Sequence, residues 1–264
     1  MYAFTQHRPA TVRQAASLLA KQEEAKLLAG GHTLIPTMKL RLAGPKHLID
    51  LSKVEGLTGI EMRGRSLIVG AMTPHVEVQT SPVVKENFPA LAELAGKIGD
   101  PAVRHRGTIG GSIANNDPAA DYPGSVLALN ATIRTTKREI TGDDFFTGMF
   151  ETALEPSEII TAVRFPKVAQ ANYQKFRNPA SRYAIVGVFV ARTASGVRVA
   201  VTGAGPCVFR VPEMEAALTA SFTPDAIKGI TIPDDGLNSD IHASAEYRAH
   251  LVGVMARRAV AACA

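Results

Sequence analysis

The chain has no tryptophan, only two cysteines in 264 residues, and no apolar run approaching the ~20 residues a membrane helix needs. Cys207 and Cys263 are too few for the four thiolates of an iron–sulfur cluster. A structural zinc would need further ligands from scattered histidines, so no metal site is expected. Both thiols read as inert. The opening stretch MYAFTQHRPATVRQ lacks the apolar segment of a secretory signal, which makes the cytoplasm the expected compartment. Basic residues exceed acidic ones, giving a net charge of +5. They are dispersed, however, and no aromatic-rich strand offers a stacking platform for bases, so nucleic acid is not an expected partner. An acidic protein surface would still suit the excess charge. No Ser-His-Asp set, paired-carboxylate site or ligand cluster is evident.

What the chain does have is length, an ordinary hydrophobic fraction of 46%, and two glycine pairs in similar settings. The length exceeds one typical domain, so two or more compact units are expected. Leu27-Leu28-Ala29-Gly30-Gly31-His32-Thr33-Leu34 is an apolar run meeting Gly-Gly and then small polar residues; Thr108-Ile109-Gly110-Gly111-Ser112 repeats the pattern. One such pair is most simply a turn. Two suggest strands running into loops whose bare N–H groups converge on a phosphate, where a side chain would block approach. On that reading, valine at Gly31 or Gly110 would place methyl groups where phosphate oxygens must sit.

Periodicity organises the rest. Val12, Ala15, Ala16 and Leu19 form a helical stripe. Residues 25–29 read as a strand, Thr33 as the N-cap of a helix with Pro36 in its first turn and Gly44-Pro45 at its end, and 47–51 as a second strand. Strands broken by Gly64 follow over 61–72, then a helical tract to Lys97 interrupted by Pro82 and Pro89. Arg104, His105 and Arg106 stand just before the second glycine pair, in a solvated turn, as a screen for pyrophosphate charge or as a docking contact. Asp117-Pro118 reads as a helix start, with Asp121 one turn on. A hairpin over 131–141, a helical turn over 143–150 and a strand over 159–165 lead to a boundary near residue 170. Beyond it come strands at 173–176, 184–192 and 197–202 and helices at 212–220 and 244–262. In the last helix Tyr247, Leu251, Val254 and Met255 share a face suited to packing on a sheet.

Three stretches resemble a known family. Ala29 to Arg41 (AGGHTLIPTMKLR) is similar to the first FAD-binding segment of the medium, flavin-carrying subunit of molybdenum hydroxylases, the carbon monoxide dehydrogenase and xanthine dehydrogenase family. Thr108 to Pro123 (TIGGSIANNDPAADYP) resembles its second FAD segment. Phe176 to Ile185 resembles the stretch entering the third subdomain, and the closing SAEYRAHLVGVMARRAV its C-terminal helix.

The resemblance implies an α+β fold: a two-subdomain FAD-binding (PCMH-type) domain over 1–170, divided at about residue 55, then a C-terminal α/β-sandwich domain over 171–264 of the carbon monoxide dehydrogenase flavoprotein type. It implies FAD contacts at Leu28, Ala29, Gly30, Gly31, His32, Thr33, Leu34, Ile98, Thr108, Ile109, Gly110, Gly111, Ser112 and Asp121. His32 would contribute mainly its backbone N–H. Tyr183 is either a half-buried strand tyrosine or a shield for the flavin ring. Arg198 lies near a positively charged position of the family, across a loosely aligned loop.

The implied partners are a small iron–sulfur subunit with 2Fe-2S clusters and a large subunit with the molybdopterin cofactor, assembled as a dimer of heterotrimers. Electrons would pass through FAD in this chain to an external acceptor. With two cysteines the chain cannot hold the clusters itself, as in the carbon monoxide dehydrogenase branch. A self-contained flavin oxidase or reductase would need a substrate-side acid or base that the sequence does not reveal, and a non-enzymatic nucleotide-binding assembly protein would use the glycine loops without redox work.

Overall fold

The computed structural model describes residues 1–263. Strand β1 (Thr5–His7), helix α1 (Val12–Lys21), β2 (Ala25–Leu28), α2 (Leu34–Lys39) and β3 (His47–Asp50) make the first unit. Its three strands are parallel in the order β1-β3-β2. Thr11 and Gln14 cap α1 reciprocally, and Ala15 seats the helix on Ile49 and Leu51. The sequence does not announce β1: Thr-Gln-His is too short and polar to show a period, and the strand exists because the edge of β3 is there to pair with.

The second unit has β4 (Ile60–Arg63) and β5 (Ser66–Gly70), then α3 (His75–Thr80), α4 (Pro82–Asn87), α5 (Pro89–Gly96), α6 (Pro101–Arg106), α7 (Ile109–Asn115) and α8 (Tyr122–Ala128). There follow β6 (Thr132–Thr135), β7 (Glu139–Thr141), α9 (Gly142–Phe145), β8 (Phe146–Gly148), β9 (Glu151–Thr152) and β10 (Ile160–Pro166). The main sheet is antiparallel, ordered β4-β5-β10-β6-β7. Prolines 82, 89 and 101 each sit at a helix start, where a missing N–H leaves no orphan donor. The stretch expected as one helical turn over 143–150 is instead the end of α9 followed by the β8-β9 hairpin.

The last unit is an antiparallel sheet, β11 (Gln170–Arg177), β12 (Ala184–Thr193), β13 (Gly196–Thr202) and β14 (Phe209–Arg210), with α10 (Pro212–Ala220) and α11 (Ala245–Ala262). Both faces of β12 are buried, which is why it reads as a continuous apolar run. Val186, Val188 and Val190 face Leu251, Met255 and Ala256 of α11; Phe189 and Ala191 join Tyr122 and Val126 of α8 in the core of the second unit. Leu251 and Met255 are buried as expected, but Tyr247 is 43% exposed. It sits in the first turn of α11, with Phe176 of β11 edge-on to its ring and His250 stacked on it.

Candidate functional site

A cleft of about 1320 Å³ runs between the three units. Both glycine segments border it, and they are in contact with each other. A Cβ on Gly30 would lie 2.2 Å from the Arg106 carbonyl oxygen and 2.8 Å from the Gly107 Cα, so the segments touch through glycine alone. Of the residues singled out in the sequence, Ala29, Gly30, Gly31, His32, Thr33, Leu34, Ile98, Thr108, Gly110, Gly111, Ser112, Asp121 and Tyr183 border the cleft. Leu28 and Ile109 do not: Leu28 supports Gly31 from beneath, its Cδ1 3.3 Å from where a Cβ would stand, and Ile109 is a fully buried core residue.

The first pair builds an open cradle. Gly31 adopts φ +77°, a left-handed conformation natural to glycine. Among the described residues no hydrogen bond engages the N–H groups of Gly30, Gly31, His32, Thr33 or Leu34, while the Gly31 carbonyl accepts from Ile35 N–H to start α2. Thr33 therefore does not cap: its backbone is already helical and its hydroxyl makes no capping bond. Consecutive unpaired donors bordering a cleft suit an anion.

The second pair is different, and the expectation of a second open loop is corrected. Gly110 and Gly111 lie in the first turn of α7, with Thr108 as N-cap. Gly110 N–H donates to the Ala71 carbonyl at 2.8 Å and Gly111 N–H to Thr108 Oγ1 at 3.1 Å. A Cβ on Gly110 would meet Ala71 at 2.6 Å. That residue is glycine so that α7 can press against the end of β5, not to clear a phosphate. This segment borders the cleft with Thr108, Gly110, Gly111 and Ser112, and of these Thr108 and Ser112 carry hydroxyls.

Asp117-Pro118 does not start a helix: the Asp117 carboxylate accepts from Ala119 N–H at 2.9 Å in a turn, and α8 begins at Tyr122. Asp121, at the cleft wall, is 4% exposed. It accepts from the Tyr173 hydroxyl, and its other oxygen takes Lys175 Nζ at 2.9 Å. Burial pushes its carboxyl pKa up against the pull of Lys175. A buried carboxylate needs such partners, and Tyr173 and Lys175 come from β11, so this group ties the last unit to the cleft.

The β11–β12 loop carries Ala180, Ser181, Arg182 and Tyr183 to the cleft. Asn178 Oδ1 accepts from Ala180 and Ser181 N–H, and Arg182 is left-handed at φ +62°. Tyr183 is 49% exposed, with its hydroxyl pKa raised first by burial and then by Asp117 and Asp121. Arg104, His105 and Arg106 form the last turn of α6 and their side chains do not border the cleft; Arg104 instead donates to the Ile98 carbonyl at 2.9 Å. Arg198 is buried elsewhere, bound to the Leu127 carbonyl and to Asp143.

Sequence reasoning missed His75, the 155–160 segment and Phe150 among the bordering residues. Phe150 is left-handed at φ +57° and 56% exposed. Its hairpin is pinned by Asn116, whose Nδ2 donates to the Gly148 and Glu151 carbonyls. The adjacent asparagines of the second motif were the available signal, since Asn favours the left-handed end of a helix. Among the described residues no group of three or more His, Cys, Asp or Glu could hold a metal ion, and no helix is long and apolar enough to cross a membrane.

A cradle of free donors, the Thr108 and Ser112 hydroxyl residues in the same cleft and a volume above that of most small-molecule pockets fit a dinucleotide such as FAD. The comparisons with known proteins agree. The family described as "FAD binding domain in molybdopterin dehydrogenase" matches residues 2–168. The carbon monoxide dehydrogenase medium chain of Hydrogenophaga pseudoflava is 36% identical, over 97% of this chain and 96% of its own. The nicotine 6-hydroxylase medium subunit of Paenarthrobacter nicotinovorans is 37% identical, over 96% and 94%. A solved carbon monoxide dehydrogenase from Hydrogenophaga pseudoflava, lacking the Mo-pyranopterin moiety of its molybdenum cofactor, superposes with TM-score 0.90 at 37% identity, covering 99% of this chain and 97% of the other. The chain thus belongs to the family of FAD-binding subunits of molybdopterin dehydrogenases, and it is an oxidoreductase component of the flavin-carrying kind.

Proposed function

We propose that this chain is the flavin subunit of a heteromeric molybdenum hydroxylase, receiving electrons from 2Fe-2S clusters of a small partner subunit and delivering them to an external acceptor. Substrate is oxidised on a large molybdopterin subunit, and the complex is a dimer of heterotrimers. The observation that carries this reading is the run of free N–H groups from Gly30 to Leu34 bordering one cleft together with Thr108 and Ser112. Those groups hold the diphosphate of FAD, and Ile98, Asp121 and Tyr183 flank the ring. FAD bound there supplies the capacity to accept electrons singly and release them in pairs, which no side chain of this chain provides.

The residues bind and orient; none is assigned a bond-making step. The two domain-level parts on either side of residue 170 have separate tasks, the first gripping the cofactor and the second covering it through the 180–183 loop. Purification of the chain from its native source tests the reading: the expected result is a yellow protein accompanied by an iron–sulfur subunit and a molybdopterin subunit. A colourless chain that takes up no FAD, or an isolated chain that alone oxidises an organic substrate, overturns it.

A further inference from the structure

His75 stands at the junction of the two glycine segments, and neither its position nor its hydrogen-bonding state is explained by packing. It opens α3 directly after Pro74, whose backbone bridges to Thr108. Its own N–H donates to the Gly107 carbonyl at 2.9 Å. A Cβ on Gly107 would fall 2.5 Å from His75 Nε2, so Gly107 is bare for this imidazole, just as Gly30 is bare for the Arg106-Gly107 backbone. The stacking order is Gly30, Gly107, His75, and all three border the cleft.

The ring is 4% exposed, yet it makes no side-chain hydrogen bond, and Nδ1 is fully enclosed without a partner. Tyr122 packs against it with ring centroids 5.3 Å apart, and the Tyr122 hydroxyl is likewise enclosed and unpaired. The titratable and basic groups that face the ring oppose a proton on it: His32 from the first glycine segment and Arg104 from α6. Asp121, next to Tyr122, is committed to Tyr173 and Lys175. Burial, then His32 and Arg104, bring the His75 pKa down to about 4. A neutral imidazole has one N–H. An enclosed N–H without an acceptor is costly, so the proton belongs on Nε2, the nitrogen beside Gly107.

We propose that His75 is a cofactor-binding residue: its Nε2–H donates a hydrogen bond to a diphosphate oxygen held between the cradle of Gly30 to Leu34 and the Thr108 hydroxyl. This rests on the reading of the cleft as an FAD site. A neutral donor recognises the anion without adding a cation to a region that already holds Arg104, and its strength does not depend on pH near neutrality.

The test is binding of FAD and of ADP to the deflavinated full-length chain and to His75→Phe, His75→Asn and His75→Gln. ADP carries the diphosphate without the flavin ring. A hydrogen bond to a charged oxygen predicts roughly tenfold or greater weakening with Phe and with Asn, by the same factor for both ligands. Gln, whose amide nitrogen reaches the place of Nε2, keeps affinity near wild type, whereas Asn, which reaches only the place of Nδ1, does not. The ratio of wild-type to Phe affinity stays flat from pH 6 to pH 8. Wild-type affinity in the Phe and Asn variants, or a loss seen for FAD but not ADP, overturns the proposal while leaving the FAD site in place. A ratio that climbs towards acid shows a charged imidazolium and overturns the neutral donor. Failure of the wild-type chain to bind either ligand removes the FAD reading itself, and the proposal with it.

Discussion

Gly30-Gly31 and Gly110-Gly111 border the same cleft, yet the first leaves its backbone donors free and the second spends them on Ala71 and Thr108. The dipeptide is the same and the reasons for it are not. In the first segment Gly31 is bare because of its dihedral angle and Gly30 because another stretch of backbone lies against it. In the second, Gly110 is bare because a helix must approach a strand end. A glycine in a cofactor motif can therefore serve the ligand, the turn or the packing, and only the direction of the missing Cβ tells which.

Alanine substitutions would break or sharpen this contrast. Gly30→Ala is expected to have the largest effect, because its Cβ meets the Arg106 carbonyl at 2.2 Å and the obstacle is backbone. A loss of at least ~3 kcal/mol, or no soluble protein, is the expected outcome in urea unfolding. Gly110→Ala comes next: contact with Ala71 outweighs the gain in helix propensity, for a net loss of about 2 kcal/mol, and any FAD loss follows from the damaged fold. Gly31→Ala should cost about 1 kcal/mol from the left-handed backbone, with FAD retention after gel filtration falling more than stability does. Gly111→Ala is the smallest. Its Cβ finds only Thr108 Oγ1 at 3.0 Å and Ala29 Cβ at 3.4 Å. Stability should stay within ~1 kcal/mol of wild type. If Gly110→Ala proved stable but free of FAD, the contrast drawn between the pairs would be wrong.

Many elements were legible in the sequence, because Pro82 and Pro89 mark breaks in a helical tract and the β12 apolar run marks a strand, whereas the helix opening at Pro101 reads as a turn. Local signals failed where tertiary contacts decide. Thr33 and Asp117 are good caps by residue type, but Thr33 is drawn into helical backbone by the Gly31–Ile35 bond and Asp117 turns its carboxylate onto Ala119. Tyr247 lies on the apolar stripe of α11, but at the helix's first turn it meets the sheet only through Phe176 at one edge strand and stays largely exposed. At the cleft, the glycine motifs pointed to the right place while concealing how differently they work. His75 could not be seen at all, since a lone histidine after proline shows no pattern until Gly107 and Gly30 are stacked upon it.

The Asp121 carboxylate gripped by Tyr173 and Lys175 has one more consequence. The match to the FAD-binding family ends at residue 168, but the ion pair and the apolar face that α8 shares with Phe189 lie across that line. A fragment cut at the family's edge would lose both the lysine counterion and the hydroxyl donor of a submerged negative charge and lay bare an oily helix flank. The stretch recognised as a module by sequence is thus not severable as one by scissors, and grafting it alone onto another scaffold should yield aggregates instead of a flavoprotein.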